Sequence, residues 1–369
     1  MNKLKFIILI TFLYSYVHSD DSKFNPKLES FDVMIDARSV ALGEINIANP
    51  NRINSFAFNP ATLIGVKGLN FYYNSRDMNW NDQYTKDIRY YSIGILLESR
   101  YGYFGLNYSY KNNGTVIVTS VENLEGIGKM KVYNYTFSFS YANYIKSNLS
   151  VGLNIKTFDY NYKNIEGDVP DQNTKNAFVG DFGVLYYFKG FINQLALKDK
   201  IYIGASIQNI GTDFKWKSEL SNEYNNYSFP IYLSIGCTYH IMSITEKGDS
   251  TFQFLIYGEF QKFLNPSIYQ KSYTNFGGIG FEAIFYDIVS LRLGGIYLPY
   301  TNIYGNGNRL SMRYGIGLFF PLKLLGIDYP INFSFDFAHI PTNESVFLYV
   351  RKKNLLVFNI HLNFEKTTL

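Results

Sequence analysis

Five ionisable residues, Glu259, Glu282, Arg292, Arg313 and Asp336, fall at one parity of five successive strand-like segments. Alternation along a strand sends them all to the same face. Two kinds of chemistry suit such a row. The plainer is structural: opposite charges pair across strands or with an enclosed segment, since an unpaired charge in a narrow interior is costly. The sharper is recognition of the polar head of a ligand. Catalysis has little to work with. Beyond the first nineteen residues the histidines are His240, His339 and His361, each in a separate segment. Asp336 and His339 are near neighbours but lie on opposite faces of one segment, so they cannot form the acid–base couple of a Ser-His-Asp triad. His240 sits on a polar face, where hydrogen bonding is its expected role. No paired carboxylates, HxxE motif or phosphate-binding loop occurs. Cys237 is the only cysteine, which excludes an intrachain disulfide and a CxxC metal site. No metal or cofactor is expected.

The segments that carry these residues obey one rule. In Lys131–Asn143, Tyr133, Tyr135, Phe137, Phe139 and Tyr141 share one face, and Asn134, Thr136, Ser138 and Ser140 the other. Leu149, Val151, Leu153 and Ile155 alternate with Ser150, Gly152, Asn154 and Lys156, and Met312 to Phe320 repeats the pattern. The rule predicts strands at 68–73, 87–98, 101–112, 129–145, 148–162, 176–189, 200–213, 230–242, 251–262, 273–285, 289–299, 310–321, 331–340 and 354–364. Ser99-Arg100, Lys146-Ser147 and Asp287-Ile288 sit in tight turns. Polar stretches at Asn74–Lys86, Asn113–Gly128, Lys163–Lys175, Asp213–Phe229 and Tyr300–Arg309 read as long loops. Strands of about ten residues joined alternately by short and long links define a transmembrane antiparallel up-and-down β-barrel of about 14 strands. An even number places both termini in the periplasm. A soluble sandwich or propeller would carry charges on its exposed face, whereas here the non-aromatic face is Ser, Gly, Asn and Thr with scattered charges and no blade-like repeat.

Composition agrees. Charged residues make up 17% and aromatics 18% of the 369, with 34 Tyr and 32 Phe. The net charge of +4 is spread along the chain and gives no basic face for nucleic acid. Met1–Ser19 has Lys3 and Lys5 before an apolar run from Phe6 to Val17, the form of a cleavable export signal. The expected organisation is a signal at 1–19, an N-terminal hatch at 20–65, a barrel at 66–364 and a tail at 365–369. Arg351-Lys352-Lys353 should lie in an external loop, solvated or against anionic lipopolysaccharide.

The hatch region does not alternate. It contains Asp36-Ala37-Arg38-Ser39-Val40-Ala41-Leu42-Gly43 and Phe58-Asn59-Pro60-Ala61-Thr62-Leu63-Ile64-Gly65. Asn59 suits an N-cap, Pro60 a first turn and Gly65 a helix end. A fourteen-strand lumen is too wide for wall side chains to fill, so a compact segment inside it is expected. Ala37 to Gly43, Ala48-Asn49-Pro50 and Asn59-Pro60-Ala61 resemble the N-terminal signature of FadL-type outer-membrane proteins, in particular the PorV/PorQ-like branch. The resemblance implies a hatch inside a fourteen-strand barrel in the outer membrane of a diderm bacterium, without enzymatic activity. It implies either movement of a hydrophobic small molecule or a part in type IX secretion with secretion-system proteins and secreted cargo. A transporter needs an apolar pocket between hatch and wall, with Arg292 or Arg313 available to a carboxylate head. A general porin-like or structural barrel is the alternative, and a barrel hydrolase the remotest one.

Overall fold

The computed structural model describes residues 36–49, 55–77, 88–120, 123, 125–167, 170–173, 177–192, 196–212, 214–217, 224–227, 229–245, 250–264, 275–302, 305–322, 326–327, 331–339 and 357–364, the last by backbone alone. The export signal, residues 20–35, the cluster Arg351–Lys353 and the tail lie outside the described residues.

The long strands are β1 Leu69–Asp77, β2 Arg89–Ser99, β3 Gly102–Val118, β4 Gly128–Lys146, β5 Leu149–Gly167, β6 Ala177–Lys189 and β7 Leu197–Gly211. They continue with β8 Tyr232–Ile244, β9 Ser250–Phe263, β10 Asn275–Phe285, β11 Val289–Asn302, β12 Gly305–Pro321, β13 Ile331–His339 and β14 Val357–Phe364. Each pairs antiparallel with the next, and β14 returns to β1 from Leu69↔Phe364 to Arg76↔Val357. The 15-stranded sheet is therefore a ring of fourteen with the two-residue strand Gln172–Asn173 attached to β5. Closing the ring leaves none of its strands as an edge.

Alternation divides the two faces sharply. Leu153 and Ile155 are 54% and 59% exposed, while their neighbours Ser150 and Asn154 are 0% and 2% exposed. Outward residues such as Ile93, Phe137, Leu291 and Leu318 continue this apolar exposure around the ring.

One end of the ring has tight links. Between β10 and β11, Tyr286 and Asp287 both adopt left-handed backbone (φ 52° and 57°), and Ile288 N donates to Phe285 O at 2.9 Å. That is the mirror-image turn whose twist matches a hairpin. At the opposite end the strands run further than alternation suggested. β3 continues to Val118 and β5 to Gly167, and β1 extends to Asp77 rather than stopping near residue 73. The expected loop at Tyr300–Arg309 is instead a hairpin, with Asn302 opposite Gly305. Polar residues on both faces erase the parity signal there, yet the backbone ladder continues. Within 213–229, Phe214–Lys217 pairs with Tyr224–Tyr227 as a separate two-stranded ribbon.

Residues 36–49 and 55–65 occupy the interior. Asp36 caps the helix α1 (Ala37–Ala41), its carboxylate accepting from Ser39 N at 2.9 Å. Two 3₁₀ turns follow, Ser55–Ala57 and Pro60–Gly65. α1 touches β11 to β14, Leu42 meets Gly280 of β10, and Ile47 meets Gly204 of β7 and Gly236 of β8. Pro60–Gly65 packs on β3 to β6, and Phe56 lies against Tyr72 of β1. A segment almost wholly buried while touching strands on every side of a closed ring lies inside it. Leu42, Ile45, Ile47, Phe56 and Leu63 are buried, each worth about 1.5–3 kcal/mol.

Candidate functional site

The inner segment is held by three sets of contacts. The first is ionic. On β10, Glu282 is wholly buried and accepts from Arg38 of α1 (Nε to Oε1, 2.9 Å) and from Arg292 of β11 (Nε to Oε1, 2.8 Å). Its Oε2 accepts from the Tyr257 hydroxyl at 2.8 Å and pairs with Arg38 Nη2. Arg292 Nη1 pairs in turn with Asp336 on β13. Two guanidinium groups and two carboxylates thus balance in a buried cluster, the condition under which buried charges are tolerated. Burial works against the charge on Arg38, but Glu282 and Tyr257 outweigh it and raise its pKa. On β12, Arg313 pairs with Glu44. On β9, Glu259 Oε2 accepts from the backbone N–H groups of Asn46 and Ile47 at 2.7 and 2.9 Å.

The second set is steric. At Gly152, Gly183, Gly204, Gly280 and Gly294 the backbone of the inner segment or its Asn59 side chain approaches so closely that a Cβ would overlap it. A side chain on the wall would lift the segment from its seat.

The third set centres on Asn59-Pro60-Ala61. Asn59 Oδ1 accepts from Ala61 N at 3.1 Å, capping the 3₁₀ turn, while Nδ2 donates to Ile47 O at 2.7 Å and to Val184 O of β6 at 3.1 Å. One side chain therefore joins both halves of the inner segment to the wall. Ser150 Oγ donates to Ala61 O at 3.1 Å and Gln208 Nε2 to Phe58 O at 2.8 Å.

All five sequence-identified charges are on the inner wall: Glu282, Arg292 and Asp336 form one cluster, and Glu259 and Arg313 bind the inner segment separately. Neither Arg292 nor Arg313 stands open to a ligand. His240 Nε2 lies 2.7 Å from Gln253 Oε1, and His339 stacks on Tyr314 with ring centroids 4.5 Å apart. Asp336 is buried, and its guanidinium partner is on another strand. Cys237 is exposed on the outer face. Among the described residues no His, Cys, Asp and Glu cluster could hold a metal.

A second site lies across the lumen. Val132 of β4, Phe158 and Tyr160 of β5, Ala177 and Val179 of β6, and Phe229 ahead of β8 form a buried apolar cluster, with Tyr162 packed against it. Beneath it is a polar network. Lys156 Nζ pairs with Asp181 Oδ1 at 2.8 Å and donates to Asn209 Oδ1 at 2.6 Å, and Asn154 Nδ2 donates to Asp181 Oδ2 at 2.9 Å. Alternation puts Asn154 and Lys156 on the polar face without marking them as part of a site. Lys156 and Asp181 were detectable as opposite charges at inward parity on adjacent strands. Asn209 was not, because it reaches the lumen through a bulge: the β6–β7 register slips between Gly180 and Phe182, and Asn209 takes φ 63°.

No protein-family model matches the sequence, and no curated protein sequence matches it either. Among solved structures, the chain is similar to the toluene transporter TbuX of Ralstonia pickettii, at 11% identity and TM-score 0.44 over 88% of this chain and 96% of that one. It is similar to the monoaromatic hydrocarbon channel CymD, at 12% identity and TM-score 0.44 over 93% and 99%. A FadL homologue of Pseudomonas aeruginosa matches at 12% identity and TM-score 0.42 over 89% and 98%.

Proposed function

We propose that the chain is a non-enzymatic outer-membrane barrel of the FadL kind that binds a hydrophobic compound and moves it into or across the membrane. The observation that carries this reading is the buried apolar cluster of Val132, Phe158, Tyr160, Val179 and Phe229 inside the ring, to which the inner segment contributes no residue. Apolar and aromatic side chains beside a few polar groups are the lining that suits a hydrophobic ligand. Membrane placement is supported by the closed ring, which satisfies the strand backbone, and by its exposed apolar outer face. On this reading the tight turns and both termini face the periplasm, residues 20–65 act as the hatch, and the long links face outward. Of the five lumen charges, Glu282, Arg313 and Glu259 bind the hatch, and Arg292 and Asp336 balance Glu282 from the wall. Mass spectrometry of the barrel purified in mild detergent tests the reading. A co-purifying lipid-like or aromatic molecule is expected, and an empty barrel that also fails to take up added hydrocarbon would contradict it.

The paired ribbon Phe214–Lys217 and Tyr224–Tyr227 favours a second reading, a PorV/PorQ-like secretion component. An ordered outward feature of this kind suits docking of secreted cargo. Stable capture of secretion components or cargo by the purified barrel, with an empty lumen, would select this role.

A further inference from the structure

The outward residues of β4 change chemistry in step with height. Phe139 and Phe137 are 43% and 48% exposed, Tyr135 and Tyr133 follow, and Lys131 and Lys129 end the row towards the long links. Apolar, then aromatic, then cationic is the order in which a membrane strand meets hydrocarbon, interface and headgroups. The neighbouring strands repeat it. Ile155 is exposed on β5 below Lys163, and Tyr108 and Tyr110 of β3 lie beside Tyr135 and Tyr133, with ring centroids 6.3 and 5.7 Å apart.

At the top of this face, Lys131 of β4 and Lys163 of β5 stand directly opposite each other in the ladder, both exposed. Like charges so placed, with Cβ atoms about 5 Å apart, destabilise a strand pair. Among the described residues neither lysine has an ion-pair partner. One step further out the pairing is complementary, because Lys129 meets Glu166 at 2.5 Å. Other carboxylates on and beside β5 are engaged: Asp159 Oδ2 accepts from the Tyr135 hydroxyl at 2.5 Å, and Asp171 Oδ1 from Asn164 N at 2.6 Å. Asn161, which alternation puts on the face of Lys163, is 8% exposed, and its Nδ2 has no hydrogen-bond partner. Two cations and a buried amide donor, all lacking an acceptor, make one half of an anion site.

We infer that Lys131, Lys163 and the Asn161 amide hold the phosphate of an outer-leaflet lipid against the outside of the barrel, with its acyl chains on Phe137, Phe139 and Ile155. The inference rests on membrane placement with the long links outward, and not on what the lumen carries. A phosphate between the two lysines replaces their repulsion with charge-assisted contacts and supplies the acceptor that Asn161 lacks. A free anion would meet the same charges but gain nothing from the apolar strip below them. The site therefore fits a phosphate anchored in the leaflet.

Native mass spectrometry of the full chain in detergent, titrated with bisphosphorylated lipid A, gives the affinity of this face. Lys131→Gln and Lys163→Gln should each weaken retention about fivefold, the worth of one lysine near an anionic lipid surface. Lys131→Arg should keep it, and Asn161→Ala should weaken it. Lys129→Gln should change it little, since Glu166 already neutralises that lysine, and excess inorganic phosphate should not displace the lipid. A second measurement reads the repulsion itself. In phosphatidylcholine vesicles alone, Lys163→Gln should raise the urea midpoint above that of the wild type, and with lipid A present the order should reverse. Undiminished retention by a Lys131→Gln, Lys163→Gln double variant would overturn the inference. So would an equal loss from Lys129→Gln, displacement by inorganic phosphate, or midpoints in the same order in both lipids. Each of those results leaves the transport reading standing.

Discussion

Glu282 is the residue on which most of the interior charge depends. It holds Arg38, Arg292 and Tyr257 at once, so Glu282→Leu leaves two buried guanidinium groups sharing one carboxylate. The expected cost is about 3–5 kcal/mol, the range for breaking a buried pair by removing one partner. It would appear as a lowered urea midpoint in lipid-folded protein. Adding Arg38→Met should recover part of that loss, because Arg292 and Asp336 then remain as a balanced pair, and a double-mutant cycle isolates the coupling. The exposed pair Lys129–Glu166 supplies the contrast. Lys129→Ala should change stability by less than about 0.5 kcal/mol, since surface pairs contribute little.

Among the elements, the wall glycines and the 3₁₀ turn carry the seating of the hatch. Gly183→Val places a branched side chain where Asn59 now lies. The barrel should still form and resist unfolding in cold detergent, while hydrogen exchange across Asn59–Leu63 rises to that of an unseated segment. Unchanged protection there would show that the seat is not needed. Deleting residues 20–65 should raise single-channel conductance in planar bilayers, and an unchanged conductance would assign closure to the links at the ring's end. Much of this scale could be read in advance. Lipid-type and lumen-type residues alternate in β2, β4, β5 and β12 because each strand meets two different environments. The extended ends of β3, β5, β11 and β12 were not legible, since above the apolar band both faces are polar and period two disappears. The bulge at Asn209 was equally hidden, because one inserted residue changes the facing of its neighbours without leaving a compositional mark. Inward parity identified the row containing Glu259, Glu282, Arg292, Arg313 and Asp336. It gave no indication of their partners Arg38, Glu44 and Tyr257, which depend on how the inner segment crosses the lumen.

At the scale of the whole molecule, the ring presents apolar residues outward, encloses a segment bound by charges and close backbone contact, and packs a cluster of aromatic and aliphatic side chains on the β4–β6 side. The seating contacts run from β3 round to β14, so wholesale displacement of the hatch breaks the Glu282 cluster together with the Asn59 contacts. The breadth of that seating favours a static hatch during passage of a compound. The claim is tested most directly by uptake into cells with an otherwise intact outer membrane, comparing cells that express the chain with cells that do not. Labelled toluene and a labelled disaccharide are supplied separately. Expression is predicted to speed toluene entry while leaving the disaccharide unchanged. Equal toluene entry with and without the chain, or entry of the disaccharide alone, would contradict it.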